Sequence, residues 1–475
     1  MSLFPFRIHK WSVILTASAL LTSADLLIAQ DPPVELRVPE INDSDTTTPS
    51  GDEEVTTAPS ELSEKSEKAP NADATEGAEP ESTDEKTVKA EKIPVDAERP
   101  KKSEGDYDES SEPAIPTVPV EEKPKERIEH ADPLLNKVEE AIELSSRRFL
   151  TNGLHTPWQI MHGILAFRDE YEILAAPNSQ DKLNAIKFIS NNPSFDGKPW
   201  FLKSPYGGKA HPFTVPYAFE GHPNQFPAIM TMTDLPLDHQ FLTPDGPITM
   251  QDIVKNAQME VNNHEGQTWT LWFLTHYLPS DTEWRNARGE NWSIERLVQM
   301  QNQVAVERSA CGGCHNLFAL ALARNNHLQE GGQIRGVWLE ANQKILRYTE
   351  IARRTQNRDG SLSSDYFRAP QFSNEFKRRV ATSGHMMEFL MVALPQSQLK
   401  EQWVRRAIDS VATDLIRFRN EPADVGALYH AVDALVIFRE RSLPRELATS
   451  STEEPSTSPE VGEEGVAING TVVGE

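Results

Sequence analysis

Six times along this chain of 475 residues a polar-faced helical segment is followed, across a loop, by a strongly apolar one. That alternation constrains the fold more than any other feature. An apolar helix needs cover on every side, and a polar-faced helix supplies cover on one. The pairs are expected at 133–150 with 157–171, 180–189 with 223–232, 249–261 with 268–277, 293–307 with 314–324, 336–354 with 385–394, and 398–419 with 428–439. Thr156 and Thr249 stand where an N-cap belongs, with Pro157 at the first position of one helix and Asp252 in the first turn of the other. Strand signals are sparse.

Six outer and six inner helices close an all-α (α/α)6 toroid, each unit burying its apolar face against its neighbours. The expected domain runs over 131–448 and includes an insertion at 191–248. That insertion carries Trp200, Phe201, Tyr206, Phe213, Tyr217, Phe219 and Phe226, and is expected as a lid or ligand wall at the cavity mouth.

The inner segments share a phrase in which a histidine opens an apolar helix. It occurs at His162, His315, His385 and His430, and more loosely at His222 ahead of Pro223. If the inner helices begin on one rim, these side chains ring one cavity mouth, with His264, Glu265 and Trp269 from the third unit. Helix N-termini there attract anions and depress histidine pKa values. Glu388 and Asp433 each follow a histidine by three residues, which places imidazole and carboxylate on one helical face. The candidate acid/base residues are therefore His162, His222, His264, Glu265, His385, Glu388, His430 and Asp433. The competing expectation pairs the two carboxylates with Arg378, Arg379 or Arg405, and treats each histidine as a packing residue.

The only two cysteines stand in Cys311-Gly312-Gly313-Cys314-His315. Three chemistries fit that spacing. Cys311 and Cys314 can attach haem c, with His315 on the iron and Met386 or Met387 as distal ligand. Cys311, Cys314 and His315 can hold zinc or another metal, leaving a tetrahedral ion open to His385 or His430. A plain disulfide or a reduced pair needs no cofactor at all. The helix after the motif is expected to turn Cys314 and His315 toward the cavity, leaving Cys311 in the loop.

Outside the core the chain is of another kind. Arg7 and Lys10 precede an apolar run that ends at Ala29, the pattern of a signal peptide over 1–29. Export and the absence of a stable membrane span after cleavage are the expectations. Residues 30–130 are rich in Pro, Glu, Ser and Thr, with Tyr107 the only aromatic side chain. Such a segment cannot bury enough surface to offset its ordering entropy, and is expected as a disordered acidic linker, as is the tail at 449–475. The formal charge of −25 comes from these tails: 31–130 alone holds 29 acidic against 12 basic residues. The core is close to neutral and lacks basic clusters interleaved with aromatics, which argues against a nucleic-acid partner. A small-molecule, glycan or peptide ligand in the toroid cavity is the expected partner.

The inner helices, together with Gln356-Asn357-Arg358-Asp359-Gly360-Ser361 between an outer helix and the next unit, resemble the α/α toroids of terpenoid cyclases and protein prenyltransferases. Cys314-His315 resembles the adjacent zinc ligands of lanthionine cyclases. The first likeness implies an isoprenoid-like ligand and the second a zinc ion. Asp359-Gly360-Ser361-Leu362 lacks the tryptophan of the cyclase motif, and no further cysteine supplies a third lanthionine-cyclase ligand. Phe219-Glu220-Gly221-His222-Pro223-Asn224-Gln225-Phe226 combined with the cysteine motif resembles a secreted bacterial family of the planctomycete kind, from which no activity carries over.

Overall fold

The computed structural model describes residues 129–211 and 218–443. These belong to one of the two units into which the chain divides. The expected signal segment, the acidic linker up to residue 128, Phe213 and Tyr217 of the insertion, and the tail lie outside the described residues.

Within them the protein is mainly α. Twelve helices carry the chain: α1 (Pro133–Ser146), α2 (Pro157–Phe167), α3 (Ala185–Ser190), α4 (Gln225–Met230), α5 (Met250–Glu260), α6 (Thr268–Tyr277), α7 (Ile294–Asn302), α8 (Cys314–Gln329), α9 (Val337–Arg354), α10 (Phe376–Ala393), α11 (Gln402–Arg417) and α12 (Val425–Ser442). The caps read from the sequence are made. Thr156 accepts from the Gln159 N–H and Thr249 from the Asp252 N–H, and in both the side chain three residues on returns the bond.

Two kinds of helix result. In α6 every residue from Trp269 to Thr275 is buried, and in α12 every residue from Val425 to Phe438. By contrast α9 buries one stripe, Trp338, Ala341, Ile345, Tyr348 and Ala352, and α11 a similar one. The more deeply covered helices pack in succession: α2 on α4, α4 on α6, α6 on α8, α8 on α10, α10 on α12 and α12 on α2. Helices α1, α5, α7, α9 and α11 pack against members of that set.

The strands form five short antiparallel hairpins among the described residues. Three of them repeat one device. The second strand ends in Asn184, Thr249 or Ser293, which is at once the N-cap of α3, α5 or α7. One polar side chain thus ends a strand and starts a helix.

Most boundaries shift by one to five residues from expectation, and two of the differences have a clear physical reason. Helix α10 starts at Phe376, nine residues before His385. The charged run Lys377-Arg378-Arg379 reads as loop, but Arg379 pairs with Asp359 and Asp414 at 2.8 and 2.7 Å while Phe376 and Val380 are buried. Helix α7 stops at Asn302 rather than 307, where Lys344 Nζ donates to the carbonyls of Gln301 and Val304 at 2.8 Å each. Among the described residues of the insertion, the aromatics are not exposed. Trp200, Phe201, Phe219 and Phe226 are buried in the core and Tyr206 is half-buried.

Candidate metal centre

The approach to α8 is built on left-handed backbone. Cys311, Gly312 and Gly313 have φ of 51°, 59° and 74°. A Cβ on Gly312 would lie 2.3 Å from Tyr366 Cγ, and one on Gly313 would lie 2.7 Å from the Val306 carbonyl. Both glycines are thus required by conformation and by space. The turn closes with the Cys314 N–H donating to the Cys311 carbonyl. It buries Cys314 among the core side chains, 1% exposed, and turns Cys311 toward the histidines. This reverses the expected roles, because Cys311 and not Cys314 joins His315.

Four histidines from four helices meet here. His162 and His430 are the sixth residues of α2 and α12, His315 the second of α8 and His385 the tenth of α10. The helix-terminus argument therefore applies to His315 alone. Ring centroids lie 4.2 Å apart for His385 and His430, 4.9 Å for His315 and His430, 5.2 Å for His315 and His385, and 5.3 Å for His162 and His430.

Hydrogen bonds fix how these rings present themselves. His430 Nδ1–H donates to both carboxylate oxygens of Glu388 at 2.8 and 2.9 Å. His385 Nδ1–H donates to the Ala381 carbonyl at 2.6 Å, and His162 Nδ1–H to the Trp158 carbonyl at 2.7 Å. In these three rings Nε2 is then the nitrogen that carries a lone pair. His430 Nε2 faces His315 Nε2 at 3.3 Å. Ligand atoms of His315, Glu388 and His430 lie within 4.8 Å of one another, as do those of Cys311, His315 and His385.

A charged chain backs the cluster. Asp433 lies beside Glu388 and pairs with Arg168 Nη2 at 2.6 Å, and Arg168 also donates to the Leu165 carbonyl at the end of α2. Burial pushes the Asp433 carboxyl well above its ordinary range; Arg168 opposes the shift and Glu388 adds to it. The carboxylates therefore do not serve the histidines three residues before them. Glu388 crosses from α10 to α12, and Asp433 crosses from α12 to Arg168. Arg378, Arg379 and Arg405 are engaged elsewhere, with the Ser364 carbonyl, with Asp359 and Asp414, and with Asp132.

The remaining candidates stand apart. His222 stacks on Trp269 at 6.2 Å, and Trp269 lies 4.8 Å from His315, so one indole separates His222 from the cluster. His264 is exposed, and Glu265 accepts from Asn262 Nδ2 at 3.0 Å within its own loop. Neither joins the histidines. Arg168 carried no sequence signal, because its partner is distant along the chain and its own position, φ 60°, lies just past α2.

The donor set suits one borderline-soft ion. It does not suit a porphyrin. Cys314 is sealed in the core, His315 is in ring contact with Trp269, His385 and His430, and Met386 and Met387 are fully buried, so haem attachment through both cysteines would require these core side chains to move apart. The chain matches no family model, no curated protein and no solved structure.

Proposed function

We propose that the chain is an exported (α/α)6 toroid that holds one zinc-class divalent ion at its hub and uses it on a small-molecule, glycan or peptide ligand. The cyclic succession of the six covered helices supports the toroid. Arg7, Lys10 and the apolar run ending at Ala29 support export.

One observation carries the metal centre: the 3.3 Å separation of His315 Nε2 and His430 Nε2, with His430 Nδ1–H committed to Glu388. Two imidazole lone pairs at that distance repel unless a cation or a proton lies between them. A tetrahedral ion with metal–nitrogen bonds of about 2.0–2.1 Å sets its nitrogens about 3.3–3.4 Å apart, which is the spacing the two rings hold. His385 and Cys311, whose ligand atoms lie within 4.8 Å of one another and of one on His315, would supply the third and fourth donors. Glu388 orients His430 and raises its basicity, as carboxylates behind metal-bound histidines do. Bound there, the ion would supply Lewis acidity. The Ala381 carbonyl holds the His385 tautomer, and a ligand would approach past the half-buried His222, which stacks on the buried Trp269.

Metal analysis of the reduced, purified chain tests this. One equivalent of zinc is expected, lost in His315→Ala and His430→Ala and kept in His264→Ala. A wild-type chain that takes up no divalent metal, or variants that keep it, would overturn the proposal.

A further inference from the structure

Cys314 has no place in that ligand set, yet the turn ties it to Cys311. Gly312 (φ 59°, ψ 22°) and Gly313 (φ 74°, ψ 14°) have the angles of a type I′ turn, with the cysteines at its two corners. The end Cα atoms of a β-turn lie less than about 7 Å apart, and disulfides span Cα pairs about 4.4–6.8 Å apart, so the two ranges overlap. The same Cys311 sulfur lies within 4.8 Å of ligand atoms of His315 and His385. One sulfur cannot be a metal thiolate and half of a disulfide at once.

We propose that Cys311 and Cys314 form a reversible dithiol–disulfide pair that switches the metal centre between a closed shell, Cys311 with His315, His385 and His430, and an open shell of the three histidines. The switch rests on the metal centre proposed above. Its oxidant is a small-molecule disulfide. Cys311, the more exposed thiol, attacks one sulfur of that disulfide as thiolate and releases the other half as a thiol, leaving a mixed disulfide. The buried Cys314 then attacks the Cys311 sulfur, forms the Cys311–Cys314 bond and releases the second half. Two protein thiols are oxidised and one disulfide is reduced to two thiols. Four protein ligands close a zinc site as a structural one, whereas three leave a position for water or an anion. Oxidation in an exported compartment would therefore open the centre.

Cobalt-substituted full-length protein tests this, treated with a reducing phosphine or with oxidised glutathione. The reduced form should show a thiolate-to-cobalt charge-transfer band. The oxidised form should lose that band together with two titratable thiols, carry no glutathione adduct by mass, and gain binding of azide to the cobalt. Phosphine should restore the band. Cys314→Ser, unable to resolve the mixed disulfide, should instead end with one glutathione on Cys311. An oxidised wild type that forms the disulfide but keeps its band, or that never loses its thiols, would overturn the switch and leave the metal centre standing. Failure of cobalt to bind in either state would overturn both.

Discussion

At the scale of single residues, the site is built from side chains that are costly to bury unless they meet one another. Glu388 and His430 are 1% and 0% exposed, and each removes the other's desolvation cost through the Nδ1–H bond. Glu388→Gln keeps an acceptor for that hydrogen but removes the charge. Metal affinity should fall about 10–100-fold with the fold intact, as measured by chelator competition. Unchanged affinity would mean that Glu388 does not act through His430. Gly312 is tested by Gly312→Ala. The left-handed φ costs about 1–2 kcal/mol, and the overlap with Tyr366 adds about 1–3 kcal/mol. Chemical denaturation should show a loss in that combined range; a loss under about 1 kcal/mol would mean that the turn relaxes.

At the scale of elements, Glu220 lies in the loop five residues before α4 and accepts from the Phe226 N–H in its first turn at 2.9 Å. Burial pushes its carboxyl up to about 8, the Phe226 and Asn224 N–H groups and Lys209 work against the shift, and Glu260 adds to it. A carboxyl raised in the folded state favours folding fully below its unfolded pKa, near 4.5. That advantage is lost as pH rises toward about 8. Stability should therefore decline between those values by up to about 4 kcal/mol, and Glu220→Gln should flatten the decline; parallel profiles for the two proteins would contradict it. Elements were legible in the sequence where apolar content and caps agree, as at Thr156-Pro157 and Thr249. The start of α10 was not, because its charges are matched only by Asp359 and Asp414 from other segments. The hairpins leading into α3, α5 and α7 were too short to show a period of two. The histidines were legible as a repeated phrase. Their partners were not, because spacing along one helix suggests His385 with Glu388, whereas the bond is made to His430, 42 residues on.

At the scale of the molecule, the covered helices return to their start, since α12 packs on α2 as well as on α10. An open array of repeats tolerates loss of a terminal unit, and a closed ring does not. A chain ending at Arg419, which lacks α12 and with it His430 and Asp433, should lose cooperative unfolding by circular dichroism; retention of a sharp transition would contradict closure. Zinc should stabilise the intact chain by about 2.7 kcal/mol at a hundredfold excess over its Kd, an effect reversed by a chelator. The most direct measurement of all is X-ray absorption at the zinc edge of the reduced protein. It should report three nitrogens at about 2.0–2.1 Å and one sulfur at about 2.3 Å, the nitrogens lost stepwise in His315, His385 and His430 variants and the sulfur in Cys311→Ser. A shell of oxygens alone, or one that keeps its sulfur in Cys311→Ser, would contradict the account.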